Sequence, residues 1–381
     1  MRTDTLALDG GEPACARRPP LGKGIDALGE EEIAAVTAVL RGRTLFRYGR
    51  HESRVAALEA AVSEAFGCRY VLATSSGTAA LRCALAALGV GPGDEVIVPA
   101  FTFIATVSAV VSAGAVPVFA EVDDTLTLDP RDVASKVTDR TSAIVPVHLE
   151  NVVADMGALG GAPLLEDAAQ AIGTTYRGRA AGTIGAIGAC SLQQTKTITT
   201  GEGGLVCTDD EDLYIRATRF HDQGGQFVTQ YRGERGPARG EPIVGDNLRM
   251  TEIAGALGVV QLGRLPTLVA AMRANRERIA SAIGALDGLT PRREPDPAGA
   301  GGSSLTWFAP DAGLARRCVE ALRAEGAPAA QMYEGLPVYL NPAVRARRTA
   351  AGGAEWRARP PELDLCPRTE DLVARSITIG V

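Results

Sequence analysis

The side chains best suited to chemistry lie between Leu164 and Asp209, a stretch that contains LLEDAAQAIG and SLQQTKTITTGEGG. Within it, Lys196 follows a predicted buried strand and sits in a loop of small polar residues, while Asp167 ends the apolar run PLLED. Open α/β sheets bind ligands at the carboxyl ends of their strands, so both side chains are expected at a ligand site. An amine held there can form a Schiff base with a carbonyl compound. The alternative for Lys196 is a solvated surface lysine.

Asp167 adds a carboxylate at the mouth of the predicted sheet. A carboxylate beside a pyridinium nitrogen keeps that nitrogen protonated, and such a protonated ring is an electron sink for carbanion chemistry. The alternative is that Asp167 caps a helix formed by AAQAIG. Glu166, one residue earlier, points to the other side of the strand and is expected to be structural.

A phosphate group needs backbone N–H donors, and SSGTAAL (75–81) is a small-residue turn that leads into a helix. The N–H groups and dipole of a helix N-terminus favour an anion, with Gly77 and Thr78 as the natural donors. Ser191 can add a hydroxyl, and a plain helix cap is the alternative. There is no GxxxxGK[ST] phosphate loop, and GVGPGDE precedes a strand instead of following one. ATP and dinucleotide binding are therefore not indicated.

The elements that must position these groups alternate from about residue 70 between short β-branched runs and helical stretches. Such alternation predicts an α/β fold with a mostly parallel, buried sheet. The predicted strands are VLAT (71–74), EVIVP (95–99), VPVFA (116–120), AIVPVHL (143–149), PLLED (163–167), ACSLQQ (189–194) and GLVCT (204–208). Between the first two, GTAALRCALAALG places apolar residues on one helical face that should pack on the sheet. EEEIAAVTAVL and RVAALEAAVSEAF predict two further amphipathic helices.

The domain organisation follows from a change of pattern after Gln261. There the chain turns into a long helical segment, LPTLVAAMRANRERIASAIGAL, and then into EPDPAGAGGSS, whose Gly, Pro and Asp residues are typical of a mobile loop. We predict a large domain with a helical lead-in over residues 1–262 and a smaller C-terminal domain over residues 263–381.

Composition and charge narrow the function classes. The 381 residues carry a net charge of −6 without a long Lys/Arg run, which gives little electrostatic reason to bind nucleic acid or anionic membranes. No window approaches the roughly 20 uninterrupted apolar residues of a spanning helix, and the N-terminus lacks a signal-peptide pattern. A cytoplasmic protein is therefore expected. The seven cysteines are scattered singly and there are three histidines, so neither a metal site nor a disulfide framework is expected.

Together, these stretches resemble the sugar and cyclitol aminotransferases, the DegT-type branch of the aspartate-aminotransferase-like fold. The motifs that carry the resemblance are LALDGGEP, GRHESRVAALEAAV, SSGTAAL, GDEVIVPAFTFIAT, PVHL with ADM, EDAAQAIG, SLQQTKTITTGEGGLVCTDD and DNLRMTEIAGALGVVQL. The resemblance implies pyridoxal 5′-phosphate as the cofactor. It also implies fold type I, with a mostly parallel seven-stranded sheet in a large domain and a smaller C-terminal α+β domain.

Carried over residue by residue, the resemblance implies that Lys196 is the Schiff-base lysine and that Asp167 pairs with the pyridine nitrogen. Gln170 would contact the ring hydroxyl. Phe103 would stack on the ring, and a core aromatic is the alternative for it. The implied phosphate ligands are Gly77, Thr78, Ser191 and, from a second subunit, Asn247. A site completed by the neighbouring subunit implies a homodimer.

The implied activity is a ping-pong transfer of an amino group from glutamate or glutamine to a keto sugar, a cyclitol ketone or a related small ketone in natural-product biosynthesis. A sugar dehydratase of the same fold carries histidine in place of the lysine, so Lys196 argues against it. A catalytically silent chain that binds the cofactor as a sensor or scaffold is the other alternative. An NAD-dependent dehydrogenase would need GxGxxG between a strand and a helix, and the sequence has none.

Three positions depart from the family's pattern. Asn151 stands where the family commonly has a glycine three residues after the histidine of PVHL, which puts the local turn in question. Gln193 and Gln194 stand where many relatives have a bulky aromatic residue or a histidine around the lysine loop. The two glutamines predict polar amides near the substrate.

Two further groups are candidates for substrate contacts. Arg47 and Arg50 lie in RGRTLFRYGRH and are expected either to meet an anionic substrate or to form a solvated charged face. His221 and Asp222 lie in FHDQGG and are expected either in the substrate wall or in a plain loop. The residue pattern does not choose between a nucleotide sugar, a free cyclitol and another small ketone as the acceptor.

Overall fold

Two strands of the first two thirds of the chain end at Asp167 and Ser191, where chemistry was expected. The computed structural model describes residues 5–16, 20, 22–48, 52–225, 243–284, 286–349, 353–360, 362 and 365–381. The strands are β1 (Tyr70–Thr74), β2 (Glu95–Pro99), β3 (Val116–Ala120), β4 (Thr141–Ile144), β5 (Leu165–Asp167), β6 (Thr175–Tyr176), β7 (Arg179–Ala180), β8 (Ile187–Ser191) and β9 (Gly204–Thr208). The runs EVIVP, VPVFA and GLVCT have the predicted bounds.

Two sets of strands form the central sheet, in the orders β1-β9-β8-β5 and β3-β2-β4. Parallel bridges join them where Ile144 pairs with Leu164 and Val147 pairs with Asp167. The strands therefore follow one another as β1-β9-β8-β5-β4-β2-β3, with only β9 antiparallel to its neighbours. The predicted α/β fold with a mostly parallel sheet is confirmed, and the short pair β6–β7 stands apart from it.

Helices cover both faces of this sheet. They are α1 (Glu30–Gly42), α2 (Arg54–Phe66), α3 (Gly77–Leu88), α4 (Ile104–Ser112), α5 (Pro130–Lys136), α6 (Glu211–His221) and α7 (Glu252–Ile283). Successive side chains of a strand point to opposite faces. Leu72 and Val206 accordingly pack with α3, α4 and α6, whereas Val71 and Cys207 pack with α2 and α7. Burial on both faces explains why these strands are apolar without alternation.

Helix α7 is longer than the sequence pattern indicated. It begins at Glu252, so the predicted boundary at residue 263 falls inside it, and the division of domains stays a prediction. Its most apolar stretch has a mean hydropathy of 1.5, which satisfies the length and composition of a membrane span. Leu262, Leu265 and Val269 are nevertheless buried against the rest of the protein, and core helices commonly meet the same criterion.

The remaining chain forms a small antiparallel sheet with helices, the α+β arrangement that was predicted. Its strands are β10 (Thr290–Pro291), β11 (Ser304–Phe308), β12 (Ala329–Ala330) and β13 (Ser376–Gly380), in the order β10-β11-β13-β12. Its helices are α8 (Ala312–Ala324), α9 (Pro342–Arg345), α10 (Ala354–Ala358) and α11 (Pro367–Ala374). The loop EPDPAGAGGSS (294–304), which was predicted to be mobile, is held by hydrogen bonds to its backbone. Thr175 N donates to Gly299 O at 3.0 Å, and Arg273 Nε donates to Ala300 O at 2.8 Å.

Candidate active site

A cavity of about 570 Å³ lies where β5 and β8 end and where α3 and α4 begin. It brings together residues from separate parts of the sequence. The predicted site residues that line it are Gly77, Thr78, Phe103, Asp167, Gln170, Ser191 and Lys196. Asn247 is exposed outside the cavity of its own chain, next to the segment that leads into α3, where Ser75 N donates to Leu248 O at 2.8 Å.

Lys196 stands on the loop that follows β8, and it is half-buried in the cavity wall. The loop is held from within: Lys196 N donates to Gln193 O at 2.9 Å, and Gln193 Oε1 accepts from Thr195 N at 2.8 Å. Burial lowers the pKa of the Lys196 amine, against the opposing effect of nearby carboxylates. Lys196 is therefore not a solvated surface lysine, and more of its amine is unprotonated and nucleophilic near neutral pH. Gln193 lines the cavity as expected, but Gln194 is exposed outside it.

Asp167 is buried at the end of β5. Its Oδ2 accepts a hydrogen bond from Thr106 Oγ1 at 2.8 Å, and Thr102 Oγ1 lies 2.9 Å from Thr106 Oγ1. No ion pair to Asp167 occurs within the described ranges, and burial raises the pKa of the carboxyl. Turns follow Asp167, so the alternative role as a helix cap is wrong. A cation placed at this carboxylate would compensate its desolvation.

The N-terminus of α3 faces the same cavity. Ser76 Oγ caps the helix by accepting from Ala79 N at 3.1 Å, and the N–H groups of Gly77 and Thr78 belong to the first turn, which has no intrahelical acceptors. A Cβ on Gly77 would lie 2.8 Å from Ser191 Cβ. Glycine therefore lets Ser191 approach the helix terminus, and the arrangement suits an anion.

Two aromatic rings close the other side of the cavity. Phe103 is 54% exposed, so the alternative of a core aromatic is wrong. Tyr333 comes from the C-terminal part of the chain, and its ring centroid lies 6.2 Å from that of Phe103. Gln170 Nε2 donates to Tyr333 Oη at 2.8 Å. Tyr333 was missed in the sequence because QMYEG matches no motif and only the fold brings it to the cavity.

Comparison with known proteins identifies the family of this chain. A model of the DegT/DnrJ/EryC1/StrS aminotransferase family matches residues 26–371. The chain belongs to this family. It is a pyridoxal-phosphate-dependent aminotransferase, and the resemblance seen in its motifs is confirmed.

Curated relatives of this aminotransferase act in sugar and cyclitol chemistry. An L-glutamine:2-deoxy-scyllo-inosose aminotransferase of Streptomyces fradiae is 36% identical over 352 residues, which cover 86% of this chain and 80% of that protein. The enzyme of the same name from Micromonospora echinospora is 40% identical over 304 residues, which cover 75% of this chain and 70% of that protein. A GDP-perosamine synthase of Caulobacter vibrioides is 40% identical over 58% of each chain.

Solved structures show the same fold. The crystal structure of 3-amino-5-hydroxybenzoic acid synthase has a TM-score of 0.78 at 30% identity and covers 97% of this chain and 93% of its own. DesI in the presence of its TDP-sugar product has a TM-score of 0.79 at 30% identity, covering 99% of this chain and 91% of its own. A GDP-4-keto-6-deoxymannose-3-dehydratase, at 24% identity, shares the fold alone.

Glu166 faces away from the cavity of the aminotransferase, as expected. His148 Nδ1 accepts from Ala154 N at 3.3 Å, so His148 Nε2 carries the proton and donates to Glu166 Oε2 at 2.8 Å. Gly182 N donates to the same oxygen at 2.8 Å. Burial alone would raise the pKa of Glu166, but these hydrogen bonds outweigh it and the pKa is lowered. Glu166 therefore ties β5 to the segment before β8.

Asn151 preserves the turn that the sequence put in question. It adopts a left-handed φ of 60°, as does Glu150 before it with φ 51°, and the turn closes where Val152 N donates to Leu149 O at 3.1 Å. Asparagine tolerates this region better than other non-glycine residues. Its Oδ1 also accepts from Thr174 Oγ1 at 3.1 Å, so the side chain of Asn151 adds a further hydrogen bond to the turn.

The candidate substrate contacts Arg47, His221 and Asp222 do not line the cavity. Arg47 is buried, donates to Ala73 O at 2.9 Å and forms an ion pair with Glu59, so it lies neither at an entrance nor on a solvated face. Arg50 lies outside the described residues. His221 and Asp222 end α6 completely buried and away from the cavity.

Lys23 and Glu150 also line the cavity, and sequence reasoning did not select them. Lys23 lies in the lead-in, where Gly24 N donates to Thr197 O at 2.9 Å beside the lysine loop. Glu150 precedes Asn151, which stands where the family commonly has a glycine. That departure was the only sequence feature that pointed to Glu150. Both are half-buried charged side chains in the space that a substrate would enter.

Proposed function

We propose that this aminotransferase moves the amino group of glutamine or glutamate to a ketone on a sugar, a cyclitol or a related small molecule in amino-sugar or aminocyclitol biosynthesis. The observation that carries the proposal is the convergence of Lys196, Asp167 and the N-terminus of α3 on one cavity. The relatives whose names specify glutamine and 2-deoxy-scyllo-inosose support this donor and acceptor class.

The residues present fit pyridoxal phosphate. Asp167 is a buried carboxylate that a protonated ring nitrogen would neutralise, and Phe103 offers an exposed aromatic face. The cradle of Gly77, Thr78 and Ser191 suits the phosphate. When bound, the cofactor supplies an aldehyde for amines and an electron-withdrawing ring.

The chain's own residues then have distinct tasks. Lys196 would hold the cofactor covalently in the resting enzyme. Once an amino donor has displaced it, the free amine of Lys196 would accept the proton from the α-carbon of the donor and deliver it across the linking nitrogen to the cofactor. Burial lowers the pKa of Lys196, which favours the neutral amine that a base requires. Asp167 would keep the ring nitrogen protonated, and Gln170 would orient the ring hydroxyl. Repeating these steps in reverse with the ketone gives ping-pong kinetics.

Two broader parts of the proposal concern assembly and location. Asn247 reaches the phosphate of a second subunit, which makes the enzyme a homodimer with shared sites. Its exposure outside the cavity of its own chain supports a role in the neighbour's site. The net charge of −6 and the family's small-molecule chemistry support a cytoplasmic enzyme without nucleic-acid partners.

The test is an absorbance spectrum of the purified protein with added pyridoxal phosphate, before and after excess glutamine or glutamate. We expect a near-visible band from the covalently held cofactor that disappears with the true donor and returns with a ketone acceptor. The Lys196→Ala variant should lack the starting band. A wild-type band that no donor changes would instead identify a silent cofactor-binding protein, the second candidate function.

A further inference from the structure

Glu150 places an unpaired carboxylate in the active-site cavity. Its side chain is half-buried in the cavity wall, and its charge acts on both Lys196 and Tyr333. Across the ranges that the structure describes, its carboxylate has no hydrogen-bond or ion-pair partner, although its backbone N–H donates to Gln170 Oε1 at 3.3 Å. A carboxylate held in this way is available to a substrate.

The surrounding structure determines the position of Glu150. Asn151 N donates to Gln170 O at 2.9 Å, and Arg292 Nη2 donates to Leu149 O at 3.1 Å, so the turn is held from both the large sheet and the C-terminal part. The left-handed backbone of Glu150 and Asn151 would be unfavourable without these bonds. These bonds therefore fix the position of Glu150 at the cavity wall.

The charged residues of the cavity suggest that the amino donor and the ketone acceptor contact different side chains. The charged residues that line it are Lys23, Glu150, Asp167, Lys196 and Glu202. The cofactor occupies Lys196 and Asp167, and Glu202 is exposed at the rim. Lys23 and Glu150 therefore remain for substrates that use the site in turn. The ammonium of Lys23 suits the carboxylate of an amino-acid donor, whereas the carboxylate of Glu150 suits hydroxyl groups.

We propose that Glu150 selects the acceptor, an inference that rests on the proposed aminotransferase function. Its carboxylate accepts hydrogen bonds from hydroxyl groups on the ring next to the reacting ketone. The same charge repels an acceptor that carries an anionic group at that place, because like charges in a partly desolvated site are costly. The preferred acceptor is thus a polyhydroxylated ring ketone that is uncharged around its carbonyl.

The test compares two acceptors on the holoenzyme: a polyhydroxylated cyclohexanone and its analogue in which a carboxylate replaces one hydroxyl. The wild-type enzyme should prefer the uncharged ketone in kcat/KM. Glu150→Gln keeps the side chain's size and removes its charge. The ratio of kcat/KM for the uncharged ketone to kcat/KM for the charged one should therefore fall at least about tenfold. The matched control is Glu334→Gln, because Glu334 also has a left-handed φ, 61°, and adjoins Tyr333, but is exposed and does not line the cavity.

A second readout does not depend on turnover. The charge of Glu150 raises the pKa of Lys196, so in Glu150→Gln that pKa should fall further below its usual value. The rate of pyridoxal phosphate uptake by the apoenzyme is measured by absorbance at a series of pH values. The midpoint of the rate against pH should then lie at lower pH in Glu150→Gln than in the wild type. Glu334→Gln should leave the midpoint unchanged.

The outcomes separate the two proposals. A narrowed preference together with a shifted midpoint supports acceptor selection by Glu150. A shifted midpoint with an unchanged preference, or no change in either, overturns it. If the wild-type enzyme fails the donor half-reaction with both glutamine and glutamate, the proposed function itself fails. Thermal unfolding of both variants shows whether the fold is retained, and Glu150→Ala provides the same charge removal with a smaller side chain.

Discussion

At the scale of single residues, burial shifts two groups in opposite directions. It lowers the pKa of the Lys196 amine and raises the pKa of the Asp167 carboxyl, since desolvation disfavours the charged form of each. Without a bound cofactor, the charged forms of both the amine and the carboxyl are therefore in unfavourable surroundings. Perturbed groups of this kind gather at functional sites. A bound cofactor that reacts with the amine and offers a cation to the carboxylate relieves both.

Asp167→Asn should retain cofactor binding but slow the donor half-reaction by at least about a hundredfold, because a neutral amide no longer holds the proton on the ring nitrogen. Stopped-flow absorbance of a single turnover measures the effect. Thr106→Ser is the matched control, since it keeps the hydroxyl that donates to Asp167 Oδ2. Near-normal turnover in Asp167→Asn would show that Asp167 is not needed to hold the proton on the ring nitrogen.

At the scale of elements, the site consists of strand ends and helix starts that the fold brings to one edge. Asp167 and Ser191 end β5 and β8, and Gly77 begins α3. The turn of residues 149–152 completes the wall from the segment that follows β4. Its geometry depends on the two left-handed residues Glu150 and Asn151.

Asn151 offers a direct test of that backbone. Asn151→Gly and Asn151→Ala both lose the hydrogen bond from Thr174, but only alanine must strain to adopt the φ of 60°. The free energy of unfolding should therefore be lower in the alanine variant than in the glycine variant by about 1 kcal/mol. Urea denaturation of the apoprotein measures the difference. Equal stabilities would mean that the turn relaxes to another conformation.

At the scale of the whole molecule, large apolar side chains on α1 and on the segments beside it are exposed in the single chain. They are Leu28, Ile33, Leu40, Leu45 and Phe46. Exposed apolar side chains that come together in a patch are typical of interaction sites. They support the proposed homodimer, in which Asn247 would serve the site of the other subunit.

Mixing two inactive variants tests shared sites. Lys196→Ala lacks the lysine and Asn247→Ala lacks the phosphate ligand, so a mixed dimer contains one site with both wild-type residues and one site with neither. Equal mixing after unfolding and reassociation should restore about a quarter of wild-type activity, as expected for a two-fold symmetric dimer. Size-exclusion chromatography checks that dimers form. No recovery from dimeric mixtures would place each site within one chain.

Local pattern sufficed for most elements and for the centre of the site. The runs EVIVP, VPVFA and GLVCT were predicted to the residue because strands buried on both faces must be continuously apolar. Lys196, Asp167 and Gly77 were identified because they follow or precede such elements at a sheet edge. Arg47 was misjudged because its partners, Glu59 and Ala73, come from a helix and a strand that local sequence does not connect to it.

The sequence by itself determined the fold class and the family and predicted seven of the residues that line the cavity, since these depend on periodicity and on motifs within short segments. Only the tertiary structure placed Lys23, Glu150 and Tyr333 in the same cavity. These three come from the lead-in, a turn after β4 and the C-terminal part, and none of them belongs to a local pattern. Contacts between distant segments depend on packing of the whole chain, and it is there that substrate selection is proposed to arise.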